Sequence, residues 1–206
     1  TAVGYNAMTA NTTANNNSAF GHSSLEANTT GYHNIAIGNY ALQNNSTGIQ
    51  NTALGYSALT ANTTANENVA IGYHALTANT TGAHNVAVGH DAGKAITTGS
   101  YNIAIGRDCL QACTDGASNV AVGSNALDAC VSGNNNVAIG DFSLTNYTGN
   151  GNTAVGHDSL NACTTGSVNT AVGANSLDSN TTGGANTGVG RHSLGANTTG
   201  VDNTAI

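Results

Sequence analysis

One short phrase, Asn-x-Ala-(Val/Ile)-Gly in its commonest form, returns thirteen times in 206 residues, and the returns are 17 residues apart in all but one step. A fixed period of this length marks an array of similar supersecondary units, each stacked on the last, rather than a globule. The anchoring asparagines are Asn17, Asn34, Asn51, Asn68, Asn85, Asn102, Asn119, Asn136, Asn152, Asn169, Asn186 and Asn203, and a further copy enters at Thr1 without its asparagine. The one irregular step, from Asn136 to Asn152, is 16 residues.

With the asparagine as position 1, each place in the unit becomes a column. Position 5 is glycine in every complete unit, from Gly4 to Gly190. Position 3 is alanine except at Gly188, and position 4 is always apolar, as in Val3, Phe20, Ile37, Leu54, Ile71 and Val88. Position 8 is Ala, Ser or Cys109, and position 9 is leucine except at Met8 and Gly93. Position 15 is glycine except at Ala14 and Ala65.

Composition narrows what such an array can be. Only 6% of residues are charged and there is no Trp or Pro and only two Phe, so a core of large side chains is missing. Low charge with much Asn, Thr, Gly and Ser also describes disordered linkers, but a disordered chain has no reason to return an aliphatic, a leucine and two glycines to fixed columns. Collagen is excluded because glycine lacks a period of three and proline is absent. Helical solenoids use longer repeats, and these units are rich in residues that helices disfavour. A parallel β-solenoid with one coil per unit remains. A net charge of -7, with Lys94, Arg107 and Arg191 the only cations besides the histidines, leaves no basic stripe for nucleic acid. No apolar run is long enough to span a bilayer, and any targeting segment is expected to lie outside the 206 residues. The chain starts and stops inside a unit, so residues 1–206 are expected to form a single solenoid domain, a segment of a longer fibre without its caps.

Strand alternation places positions 2 and 4 on one face and position 3 on the other. Because position 4 never turns polar, it is expected to be the deepest core column, with position 2 beside it. The alanine column then needs a close neighbour on the outside, such as another chain. The glycines at positions 5 and 15 are expected to make two sharp corners at a φ that other residues resist, giving two short strands per coil with the position 9 leucines between them. At about 4.8 Å per coil the rod would be roughly 58 Å long. A roll this thin buries few apolar atoms, which favours stacking against identical chains.

The phrases N-V-A-I-G, N-I-A-I-G and N-T-A-V-G, followed by a small residue, resemble the head repeats of YadA-like trimeric autotransporter adhesins. The longer form N-T-A-V-G-x-x-(A/S)-L-x-x-N-T-T-G is similar to repeats in phage and bacterial trimeric fibre proteins. The resemblance covers the entire chain. It implies a left-handed parallel β-roll, three chains around one axis, and a role as a surface stalk or adhesive head. The departure is the unit length, longer here than in the adhesin heads themselves.

Several polar columns carry candidate chemistry. Placing the one-residue gap before Asn146, position 12 reads Asn11, Asn28, Asn45, Asn62, Asn79, Ile96, Cys113, Cys130, Asn146, Cys163, Asn180 and Asn197. An internal asparagine ladder is one reading, each amide bonding to the coils above and below. The other takes the eight asparagines, all in Asn-x-Thr, as glycosylation acceptors of a secreted protein. Cys113 and Cys130 share a column one coil apart, within disulfide reach, with free buried thiols as the competing reading. Histidines gather at the first corner, His22, His90 and His157 at position 6 and His74 and His192 at position 7, with His74 stacking beneath Asp91 and Asp108. Solvated corner residues are the default there. A candidate ligand surface nonetheless forms from Tyr56, Tyr73, His74, His90 and Arg107, whose rings could stack on sugars. Threonine files at positions 13 and 14 resemble those of ice-binding solenoids. With no coil departing from 17 residues by more than one, no catalytic cleft is expected, and no catalytic residue, cofactor or metal site is assigned.

The expected function is therefore that of an extracellular structural and adhesive fibre segment, on a cell or virion surface. It would be homotrimeric, with a host-surface or matrix carbohydrate or protein as partner, and with neither nucleic acid nor membrane insertion. An ice-binding solenoid and a glycan-coated filament are the alternatives.

Overall fold

Val, Ile and Thr at positions 2 and 4 favour extended backbone, and each copy of the phrase forms one short strand. In the computed structural model, which describes residues 1–206, thirteen such strands run from β1 (Ala2–Val3) through β5 (Val69–Ile71) and β6 (Val86–Val88) to β13 (Thr204–Ala205). They form one parallel sheet in strict sequence order. The register follows the repeat: Val69 pairs Val86, Ala70 pairs Ala87, and Ile71 pairs Val88. The chain is an all-β parallel solenoid of about twelve turns.

The strand's two faces are the reverse of the sequence expectation. Position 3 is the inward column: Ala19, Ala36, Ala53, Ala70, Ala87, Ala121, Ala138, Ala154 and Ala171 are wholly buried. Positions 2 and 4 point outward, leaving Ile37 39%, Leu54 42% and Ile105 39% exposed. Lumen width decides this. A Cβ at Gly188 would meet Ser176 Oγ at 2.8 Å and Leu177 Cγ at 3.5 Å, so the columns at positions 8 and 9 press against position 3 and leave room for a methyl group only. The outer aliphatics face no part of their own chain's core.

There is also no second strand. From position 6 to position 17 each coil is a succession of turns. Residues at positions 7, 9 and 17 adopt left-handed backbone, as at His74 (φ 54°), Leu76 (φ 51°) and His84 (φ 59°). Such a conformation costs a residue with a side chain about 1–2 kcal/mol. Two things offset it. The leucines of position 9 are buried in the core, and the turn backbone bonds from coil to coil, as in Leu76 N–H donating to Ala92 O at 3.0 Å. Of 130 backbone hydrogen bonds only 23 join two strand residues, and coil-to-coil bonds recur through the turns, as in Ala78 N–H to Lys94 O at 3.2 Å and Thr80 N–H to Thr97 O at 2.9 Å, so the coils are tied around their whole circumference.

The two glycine columns work differently. Position 5 is a corner as expected, with φ between 117° and 142° and the next coil's glycine carbonyl where a Cβ would sit. Position 15 has no left-handed φ. It is a place of close approach, where a Cβ at Gly82 would overlap the carbonyl of Gly99 and lie 2.6 Å from Asn79 Oδ1. Ala65, buried in the same column, marks the largest side chain accepted there.

Inside the coil, polar groups take the place that large apolar side chains hold elsewhere. Asn68 Nδ2 crosses the lumen to Gly82 O at 2.9 Å, and its Oδ1 receives the backbone N–H of Asn85, one coil on, at 2.8 Å. The same pair of bonds recurs at Asn34, Asn51, Asn85, Asn102, Asn119 and Asn169. Every anchoring asparagine from Asn34 to Asn186 is buried.

Both irregular coils keep their register. At Gly93–Ile96 the strands on either side pair normally. Glycine replaces the core leucine while isoleucine replaces the column 12 asparagine. A Cβ on Gly93 would lie 3.0 Å from Ile96 Cδ1, so the isoleucine fills the leucine's space. The swap also leaves Asn79 Oδ1 buried without a partner, because Ile96 offers no amide above it. In the 16-residue coil the missing residue is at position 14, not before Asn146. Tyr147 occupies column 12, fully buried, and Asn146 is exposed beside it.

Asn68→Ala should leave the Asn85 N–H buried without an acceptor and lower unfolding stability by about 1–3 kcal/mol in a denaturant titration. In a double-mutant cycle, Gly93→Leu alone should destabilise by about 1–3 kcal/mol through overpacking against Ile96. Adding Ile96→Asn should recover most of that loss by restoring both columns.

Candidate binding surface at the first corner

The corner after each strand turns through Gly at position 5 and a left-handed residue at position 7, so the side chains at positions 6 and 7 are presented side by side on the outside. Coil stacking then brings rings from successive units together. Tyr5 stacks on His22 at 5.4 Å between centroids, and His22 meets Tyr40 edge-on at 5.2 Å. Tyr40 meets Tyr56 edge-on, Tyr56 stacks on Tyr73 at 5.4 Å, and Tyr73 stacks on His90 at 5.0 Å. An aromatic file thus runs unbroken from Tyr5 to His90, with His74 lying 3.9 Å from Tyr73 along its side.

At the far end of the file the surface becomes charged. His74 Nδ1 lies 3.5 Å from Asp91 Oδ1, and His90 Nδ1 lies 3.7 Å from Asp91 Oδ2 and 4.0 Å from Asp108 Oδ1. Arg107 Nε holds Asp108 Oδ2 at 2.9 Å, and Lys94 Nζ holds Asp91 Oδ2 at 3.0 Å. Tyr56, Tyr73, His74, His90 and Arg107 are therefore contiguous, as their shared columns suggested. Column reading also stacks Asp91 and Asp108 over His74. Lys94 was missed because it belongs to position 10, outside the corner columns; its three-residue spacing from Asp91 across a tight turn was the available signal.

The position 12 column is the internal ladder. Asn62 Nδ2 donates to Asn45 Oδ1 at 2.7 Å and to Ala65 O at 3.1 Å, and Asn45 repeats the pattern on Asn28 and Gly48. Asn28, Asn45, Asn62, Asn79 and Asn180 have no exposed surface, which corrects their reading as glycan acceptors: their amides are spent inside the rod. Asn11 and Asn197, at the two ends of the column, are half-buried and bonded to Ala14 O and Gly200 O. Asn146 alone of the eight is exposed. The threonine columns divide as well. Hydroxyls at position 13 donate to the next coil's backbone, as Thr63 does to Thr80 O at 3.2 Å, while Thr30, Thr47, Thr64, Thr81 and Thr98 at position 14 are exposed on a turn.

All four cysteines are free and buried, so of the two readings of Cys113 and Cys130 the structure has the free thiols and not the bridge. The three column 12 thiols point to their own coil's position 15 carbonyl, Cys113 to Gly116 O at 3.8 Å, Cys130 to Gly133 O at 3.7 Å and Cys163 to Gly166 O at 3.5 Å, standing in for an asparagine amide, while Cys109 at position 8 points to Gly106 O at 3.3 Å. The hydrogen bond with Cys130, with burial adding to it, holds the Cys113 thiol far above the usual thiol range. Burial pushes Cys109 up to about 12 and Cys163 up to about 11. No family model, curated protein or solved structure matches the chain.

Cys130 shifts the other way, its hydrogen bond with Cys113 lowering its pKa, so burial alone shields it; with the reactive thiolate disfavoured at the other three, all four cysteines should resist a water-soluble thiol reagent at pH 8 in the native rod and react once the chain is unfolded. Rapid native labelling of Cys113 or Cys130 would contradict the buried column.

Proposed function

We propose that the chain is a stiff segment of an extracellular fibre, and that it self-associates through the outward face of its sheet. The observation that carries this reading is the aliphatic stripe at positions 2 and 4, where Ile35, Ile37, Leu54, Ile103, Ile105, Ile139 and Val172 are exposed in the single chain. Two columns about 7 Å apart over a rod of roughly 58 Å make a footprint of about 400 Å², apolar in every coil at position 4 and, at position 2, Val or Ile in six coils and Ser or Thr in the rest. A largely apolar face of that order marks an interaction site. Its residues recur at every coil, and a surface repeated at every coil is best matched by another copy with the same 17-residue repeat.

The resemblance to trimeric adhesin heads supplies the arrangement: three parallel, left-handed rolls with their sheets turned toward a shared axis. Apolar columns that would aggregate in a lone rod then become the trimer core. The corner columns stay outside, where the aromatic file gives repeated weak contacts that add through avidity with a carbohydrate or protein surface. Reach and rigidity come from the scaffold, and attachment from the variable corners.

Sedimentation equilibrium at micromolar concentration should give three times the 20.3 kDa chain mass. Ile71→Asp together with Ile105→Asp, placing a charge in two coils of the stripe, should shift the protein to monomer while the β-sheet circular dichroism signal persists. A wild-type chain that sediments as a monomer overturns the proposal.

A further inference from the structure

We infer that His74, His90, Asp91 and Asp108 form a binding site for one transition-metal ion of the zinc type, built from three consecutive coils of a single chain. One ligand-capable atom each from His90, Asp91 and Asp108 falls within 4.8 Å of the others. The His74 imidazole extends this group, with Nδ1 3.5 Å from Asp91 Oδ1. Tetrahedral zinc with bonds of about 2.1 Å requires donor atoms roughly 3.4 Å apart. The separations of 3.5 Å between His74 Nδ1 and Asp91 Oδ1 and of 4.0 Å between His90 Nδ1 and Asp108 Oδ1 are within side-chain adjustment of that value, and His90 Nδ1 lies 3.7 Å from the other Asp91 oxygen, Oδ2.

An independent observation points into the same space. Asp91 is only 7% exposed, and its Oδ1 takes no hydrogen bond. A buried carboxylate oxygen without a donor is costly unless a cation completes it. The fixed cations do not. Lys94 engages Asp91 Oδ2, and Arg107 engages Asp108 Oδ2. Each carboxylate is thus held through Oδ2 and oriented; Asp91 Oδ1 is left without a donor near His74, and Asp108 Oδ1, 4.0 Å from His90 Nδ1, accepts one bond from Gln111 Nε2 at 3.0 Å and keeps a lone pair for the metal. This is how a surrounding shell positions metal ligands.

Donor chemistry selects the ion. Two imidazoles and two monodentate carboxylates suit zinc, cobalt or nickel, whereas calcium needs six to eight oxygens and magnesium an octahedral oxygen shell. The backbone favours the same arrangement. His74, Asp91 and Asp108 all occupy position 7 with φ near 55°, so three ligands rise from one column in parallel, and His90 closes the site from position 6. Since all four come from one chain, the site does not depend on trimer formation.

The test uses the tag-free 206-residue chain. Titration with zinc chloride in a calorimeter should give one saturable site per chain, and cobalt should develop the visible absorption of a tetrahedral complex. His90→Ala and Asp91→Asn should each weaken zinc binding at least about tenfold. His192→Ala, a corner histidine far along the rod, should leave it unchanged. Cobalt spectra that stay octahedral, or zinc affinity equal in wild type and in both ligand variants, overturn the proposal. Asp108→Asn provides a second ligand variant at a half-buried position should Asp91→Asn fail to fold.

Discussion

The solenoid depends on one hydrogen-bonding device, the anchoring asparagine. A chain with so narrow a lumen cannot fill it with large apolar side chains, and a backbone turning through three left-handed residues per coil leaves amides and carbonyls facing inward. The asparagine resolves both problems at once. Its amide nitrogen reaches across to the position 15 carbonyl and braces the coil, and its oxygen takes the next asparagine's N–H and fixes the rise. Column 12 adds a second amide to that same carbonyl, so Gly31 O accepts both Asn17 Nδ2 at 2.7 Å and Asn28 Nδ2 at 2.9 Å. Buried amides in this arrangement satisfy one another, which makes an interior rich in asparagine tolerable.

From this brace follows the division between constrained and free columns. Position 15 must let two amides approach its carbonyl and let the next coil sit close, so it accepts glycine or alanine. Column 12 can lose its amide because column 1 still serves the carbonyl: Asn102 Nδ2 donates to Gly116 O at 2.8 Å where Cys113 replaces the asparagine. Tyr147 goes further, its phenol reaching Asn150 O at 3.2 Å in the coil that lacks a residue. Column 1 shows no such substitution from Asn17 to Asn203, since its amides both span the lumen and take the backbone N–H of the next asparagine, as Asn68 does.

The repeat, the parallel stacking, the position 5 corner, the leucine core and the column 12 ladder were all legible in the sequence, because each is a recurrence with a single physical explanation. The direction of the strand was not. Alternation says that Ala70 and Ile71 lie on opposite faces, but not which face is inside; in most proteins the larger aliphatic is, and here the lumen is too narrow for it. The absent second strand was hidden for a related reason, since leucine with left-handed backbone at position 9 contradicts local preference and is sustained only by stacking. The anchoring asparagine served as a ruler for the repeat, and its own bonds show only in three dimensions. At the candidate site the columns predicted which rings and acids would meet, whereas the contribution of Lys94 required the turn geometry that brings position 10 back to position 7.

A fold that is nearly one-dimensional separates stability from recognition in a way a globule does not. Each coil needs its interior columns to match those above and below, so a change there is transmitted to two neighbours. The corner residues of positions 6 and 7 project from a turn whose shape is already set by Gly at position 5 and by the coil-to-coil backbone bonds. They can therefore vary from unit to unit at little cost, and a run of consecutive units can gather a composite surface from residues 17 apart in sequence, as Tyr73, His90 and Arg107 do. The same rigidity that fixes the coil rise fixes the spacing of whatever the corners present. What such a rod presents is written along its length, in which residue each coil contributes, while the sheet's outer face stays apolar at position 4 in every coil.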